Sequence, residues 1–188
     1  MTQKKHKGLL ASFIIIFVVL FLDQLLKVWV KTHFTLGQEM PLLGNWFKLL
    51  FIENPGMAFG LMGGGGFVKT LLSIFRIVAV VVLVFVLFRA SKKGVKFGVL
   101  FGISLIIAGA MGNIIDCLFY GRIFSESTYT TVATLFPEGG GYAGWLHGQV
   151  VDMFSVSFFP PIFNIADSAI TIGVFYMIIF QWKWLKKI

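Results

Sequence analysis

The stretch Gly148–Ile170, GQVVDMFSVSFFPPIFNIADSAI, decides how the rest of the chain is read. It carries two of the four aspartates in the chain, Asp152 and Asp167, with almost no other polar side chain between them. A carboxylate set among lipid-like residues is costly, so each of these needs a partner or a task.

The surroundings support that reading. The chain has 188 residues, 57% of them hydrophobic and only 13% charged, with a mean hydropathy of +0.89. Ordinary globular domains are about 45–50% apolar and about 25% charged. Four apolar blocks approach the ~20 residues that a helix needs to cross a bilayer. They are roughly Leu9–Val30, Phe67–Phe88, Lys96–Tyr120 and Ile162–Leu185. The expectation is an all-α polytopic membrane protein, one integral domain over residues 1–188, with outer segments 31–66 and 121–161. The start, MTQKKHKGLLASFIIIFVVLFL, has the basic-then-apolar order of a signal peptide. No small-x-small cleavage site follows it, so it reads as a retained anchor.

The net charge of +8 is placed as membrane topology would place it, and no nucleic-acid partner is expected. Lys4, Lys5 and Lys7 precede the first block; Arg89, Lys92, Lys93 and Lys96 join the second to the third; Lys183, Lys186 and Lys187 end the fourth. The positive-inside rule then puts both termini and the basic link in the cytoplasm, with the two long connections outside. In the first connection, Trp46–Ile52 followed by Asn54-Pro55-Gly56 predicts a small sheet on the outer membrane surface. Gly63–Gly66 reads as a hinge, since no nucleotide-site sequel follows it. The second connection reads as a long loop with a short hairpin, of the kind that covers a site. Single Cys117 excludes an intrachain disulfide, and His6, His33 and His147 are too scattered for a metal site. No cofactor is expected.

Helical spacing gathers the polar residues. Asp23 and Lys27 are four apart and share a face; Gly109, Asn113, Asp116 and Tyr120 form one stripe, and Asn164, Asp167, Ser168 and Thr171 another. Topology brings Asp23, Lys27, Asn113, Asp116, Asp152, Asn164 and Asp167 to one depth, near the outer surface. Plainer roles fit some of them: an ion pair for Asp23 with Lys27, a helix tie for Asp116, and a cap beside Pro160-Pro161 for Asn164. Asp152 and Asp167 fit such roles less well, because neither has a basic neighbour and Arg122 is the sole cation of the second connection. Two carboxylates sharing a proton can activate water, one as base and the other as acid. The residues alone therefore point to an outward-facing intramembrane aspartyl hydrolase. The rival is a small proton-coupled transporter using the same acids as a relay, against which no repeat or midplane site is seen.

Five blocks also resemble the lipoprotein signal peptidase (signal peptidase II) family: DQLLK at 23–27, NPGMAF at 54–59, AGAMGNIID at 108–116, VVDMF at 150–154 and FNIADSAI at 163–170. The resemblance implies four transmembrane helices and a bacterial cytoplasmic (inner) membrane location. It implies a catalytic pair at Asp152 and Asp167, and a substrate site lined by Asn54, Asn113 and Asn164. Asp23 and Lys27 would support the fold. The substrate implied is a diacylglyceryl-modified prolipoprotein, cut just before its lipidated cysteine by a protein expected to be a monomer among membrane lipids. Two departures stand out. Cys117 occupies the position where the family commonly has arginine, which makes nearby Arg122 a candidate substitute, and the connection 122–149 is long for the family.

Overall fold

The computed structural model describes residues 2–55 and 65–186. In chain order these form helix α1 (Thr2–His33), strands β1 (Glu39–Leu43) and β2 (Phe47–Asn54), and helices α2 (Gly65–Lys93) and α3 (Phe97–Ile115). A π-helical turn (Asp116–Tyr120) and the single turn α4 (Gly121–Ile123) follow. Strands β3 (Val150–Val156) and β4 (Phe159–Phe163) come next, then helix α5 (Ile165–Phe180) and the short α6 (Trp182–Leu185). The NPGMAF block beyond Pro55, and Gly63 and Gly64 of the expected hinge, lie outside the described residues.

Among the described residues, three helical stretches are long and apolar enough to cross a membrane: His6–His33, Ser73–Lys93 and Phe97–Ile123. Helix α5 is apolar but has 16 residues, a rise of about 24 Å against a ~30 Å hydrocarbon core. The expected fourth block began at Ile162, yet residues 159–163 are strand. The chain forms two compact units. One comprises residues 1–23, 76–112 and 165–188, and the other residues 24–75 and 113–164.

The first unit is helical. Val99, Leu100, Ile103, Ile107 and Ala108 bury α3 against Ile16 of α1, Leu87 and Ala90 of α2 and Met177 of α5. Phe17, Phe85 and Ile179 remain well exposed, which suits helix faces turned to lipid. Helices in a bilayer gain little from apolar contact alone, so small residues that permit close approach mark their interfaces. Gly109 and Gly112 serve that end on α3. A Cβ on Gly109 would fall 2.2 Å from the Ala166 carbonyl oxygen, and one on Gly112 would fall 2.7 Å from Asp23 Oδ2.

The second unit holds an antiparallel sheet of order β1-β2-β3-β4. The small sheet that the sequence predicts is present, which makes all-α too narrow a label, and it draws strands from both long connections rather than the first alone. Beyond a bulge in β2, Ile52 pairs with Asp152, Glu53 with Val151 and Asn54 with Val150. Side chains alternate faces along a strand. Phe51, Val151 and Met153 therefore face a core completed by Val30, Phe34, Leu49, Tyr120 and Phe124, while Asn54 and Asp152 share the opposite face. Both edge strands carry proline, Pro41 in β1 and Pro160-Pro161 in β4. Proline lacks the ladder's N–H and is confined to such edges. The double proline therefore ends the sheet and does not open the helix, as the sequence had suggested. The expected hairpin in the long connection is present as a bridge between Phe124 and Leu135.

Candidate active site

The polar centre of the second unit starts at Asp116. The π-helical turn that it opens, one residue wider than an α turn, is a common means of re-aiming a side chain at functional positions. Asp116 is fully buried. Its Oδ2 accepts from Lys27 Nζ at 2.8 Å and from the Val151 backbone N–H at 3.2 Å. Its Oδ1 accepts from Gln24 Nε2 at 2.9 Å, and the Tyr120 hydroxyl donates to Gln24 Oε1 at 3.2 Å. A buried charge pair is stable only when its remaining hydrogen-bonding capacity is met, and these donors meet it.

Lys27 carries the network onward. Its Nζ also donates to Asn113 Oδ1 at 2.9 Å, which accepts in turn from Asn164 Nδ2 at 3.1 Å. The same Asn164 amide donates to the Val151 carbonyl at 3.2 Å and to Asp152 Oδ1 at 2.8 Å. Asp152 Oδ2 receives Asn54 Nδ2 at 3.1 Å. The Asp152 side chain is almost wholly buried, at 4% exposure. Amide donors thus grip both of its oxygens, one from β2 and one from the residue that links β4 to α5. The diagonal placement of Asn54 and Asp152 on one sheet face, two residues out of direct register, makes this contact possible.

Six of the nine candidate residues therefore meet in one network: Asn54, Asp152, Asn164, Asn113, Lys27 and Asp116. In the helical unit, Asp23 is buried and its Oδ1 accepts the Ala166 backbone N–H at 2.8 Å. The first N–H groups of a helix have no partner within it, so a carboxylate from α1 caps α5. Asp167 lies in that same first turn and is half-buried. Arg122 is exposed, with its guanidinium 5.8 Å from the Trp145 ring centre; the cation beside Asp116 is Lys27. Tyr120 joins the site from the stripe that the sequence predicts on the third apolar block, whereas Gln24 is a site-builder that the sequence reading does not single out. The signal for Gln24 is present, since Gln24, Lys27 and Lys31 recur at i, i+3 and i+7 on α1.

Among the described residues, no three His, Cys, Asp or Glu side chains gather to hold a metal ion. The chemistry on display is that of a carboxylate fixed by neutral donors and backed by a charge-balanced lysine–aspartate pair.

Comparison with known proteins matches residues 15–183 to the family described as "Signal peptidase (SPase) II". A lipoprotein signal peptidase of Porphyromonas gingivalis is 43% identical over 185 residues, covering 88% of this chain and 80% of its own. One from Amoebophilus asiaticus is 36% identical, covering 81% of this chain and 70% of its own. Two solved structures, each described as a bacterial membrane enzyme determined by the in meso method, are also similar. The 2.3 Å one has a TM-score of 0.62 and 27% identity, over 92% of this chain and 88% of its own. The 1.9 Å one has a TM-score of 0.64 and 28% identity, over 90% of each.

Proposed function

Since this chain belongs to the signal peptidase II family, we propose that it removes signal peptides from lipid-modified prolipoproteins through a water activated by Asp152 and Asp167. The cut falls just before the diacylglyceryl-cysteine. The observation that carries this reading is the grip on Asp152: a buried carboxylate with an amide donor on each oxygen. Asn164 provides one of those donors and stands three residues before Asp167 in the chain.

The mechanism needs one carboxylate and one carboxylic acid. The carboxylate takes a proton from water as its oxygen attacks the scissile carbonyl carbon. The carboxylic acid donates to the carbonyl oxygen, where negative charge develops. Collapse of the tetrahedral species breaks the C–N bond, and the leaving amine takes a proton. The protons belong to the pair, which titrates as a unit. Asn54 and Asn164 hold Asp152 in place, Asn113 ties Asn164 to Lys27, and the Lys27–Asp116 pair supports them from behind.

The protein works as a multi-pass bacterial membrane enzyme, in this reading a monomer with both termini cytoplasmic and its site at the outer face. The distribution of lysines and arginines supports that orientation. A prolipoprotein arrives there as a transmembrane segment with its scissile bond at the outer surface, the depth at which the acids gather. The test is prolipoprotein cleavage by purified Asp152→Asn and Asp167→Asn variants. Both are expected to fold and to lose turnover; cleavage retained by either one removes the dyad.

A further inference from the structure

A second buried polar cluster lies in the sheet-bearing unit, built on Lys31 near the end of α1. Its side chain is fully buried and forms an ion pair with Glu53 of β2, also buried. Lys31 Nζ donates to Ser127 Oγ at 2.9 Å. It lies 4.9 Å from the centre of the Tyr142 ring and 5.4 Å from that of Phe124. Taking an ammonium group out of water costs several kcal/mol, and a helix end has easy access to water. A lysine so thoroughly enclosed at such a position is holding something.

What it holds follows from the register. Glu53 immediately precedes Asn54, the β2 residue that donates to Asp152. Just ahead of the facing strand, the Tyr142 hydroxyl accepts the backbone N–H of Gln149 at 2.7 Å. Gln149 immediately precedes Val150, and Val150 is the register partner of Asn54. Lys31 thus fixes the end of β2 through Glu53, and Tyr142 fixes the start of β3 at the same level. The ammonium–ring contact ties the two anchors together. Ser127, Phe124 and Tyr142 all come from the long connection. That connection is fastened again where the Leu36 N–H donates to the Thr128 carbonyl at 2.9 Å.

We propose that Lys31, Glu53 and Tyr142 are positioning residues of the peptidase, a brace that sets the β2–β3 register at which the Asn54 amide reaches Asp152. The long outer connection supplies the face of this brace opposite α1. The proposal rests on the catalytic reading of Asp152. None of the three residues need touch substrate, and each acts through Asn54.

The test compares Tyr142→Phe, which keeps the ring but removes the acceptor for Gln149, with Glu53→Gln, which keeps the shape but removes the charge facing Lys31. Ser127→Ala, which removes the neutral hydrogen-bond acceptor of Lys31 seen at 2.9 Å, is the mildest member of the series. Steady-state cleavage of a prolipoprotein is measured well below the melting temperature of each variant, so that loss of folded enzyme does not contribute. Misplacing a catalytic group by about 1 Å can cost on the order of 100-fold. The expected result is a fall in kcat of roughly tenfold or more for Tyr142→Phe and Glu53→Gln, with KM within about twofold, and a smaller fall in kcat for Ser127→Ala.

Lowered melting temperatures with unchanged kcat across the series would overturn the brace and leave a merely structural cluster. If one variant fails to fold, the kcat–KM split in the other two decides. Asp152→Asn, assayed alongside, separates the two levels of inference. Lost cleavage in Asp152→Asn with normal kcat in the brace variants defeats the brace alone. Retained cleavage in Asp152→Asn defeats the catalytic reading and the brace with it.

Discussion

Asn164 is a junction of the site, its amide nitrogen lying within hydrogen-bonding distance of Asp152 Oδ1, Asn113 Oδ1 and the Val151 carbonyl. A hydrogen bond to a charged group is worth about 1.5–3 kcal/mol. Asn164→Leu is therefore expected to lower the cleavage rate by roughly 10- to 100-fold, read in the same prolipoprotein assay. Lys27 shows a different dependence, because its loss strands Asp116 as a buried charge. Lys27→Met should cost about 3–5 kcal/mol of stability, seen as a large drop in melting temperature, and Lys27→Met with Asp116→Leu should recover part of it. The sequence showed that Asp23 and Lys27 share a helix face and that Asp116 belongs with Asn113. Four-residue spacing says which side chains look the same way, not which partner another segment brings. That Lys27 faces Asp116, and that Asp23 accepts from the first turn of α5, are contacts that such spacing cannot supply.

The helices were legible from hydropathy because lipid-facing and core-facing residues are both apolar, and block length alone marks them. The sheet was harder to see. Strand β2 announced itself through aromatic and branched residues before a turn. Strand β3, VVDMFSV, lacks polar–apolar alternation, since Val150, Val151, Asp152 and Met153 are all buried and period two is lost when both faces are covered. The prolines of β4 fitted a first helical turn as well as a sheet edge, and only the pairing of β3 with β4 resolves that tie. Between helices, the glycines of α3 carry the most testable feature. A methyl group on Gly109 would collide with the backbone of α5, which cannot swing aside as a side chain can. Gly109→Ala should therefore cost about 1–3 kcal/mol, measured as a lowered thermal midpoint in detergent.

Across the whole molecule, stability should depend on pH at the alkaline end. Burial pushes the Tyr142 phenol up from its ordinary value of 10.0. In the unfolded chain the phenol ionises from about pH 10, while the folded protein keeps its proton. The contribution of Tyr142 is thus intact below that pH and is lost as pH rises above it. Thermal unfolding between pH 8 and about 11 should show the decline, and Tyr142→Phe should flatten it. The long connection that carries Tyr142 could be recognised in the sequence as a loop near a site. Its attachment through Lys31 could not, because that contact joins residues roughly a hundred positions apart.

The prolines at both margins of the sheet have a consequence for what the enzyme can recognise. Many proteins capture an extended peptide by letting it join a sheet as one more strand, and affinity then comes from main-chain hydrogen bonds. With Pro41 in one outer strand and Pro160-Pro161 in the other, neither margin presents an unbroken row of donors for such a guest. A peptide therefore gains little affinity by lying along either margin of this sheet, and recognition by the generic main chain is blunted there.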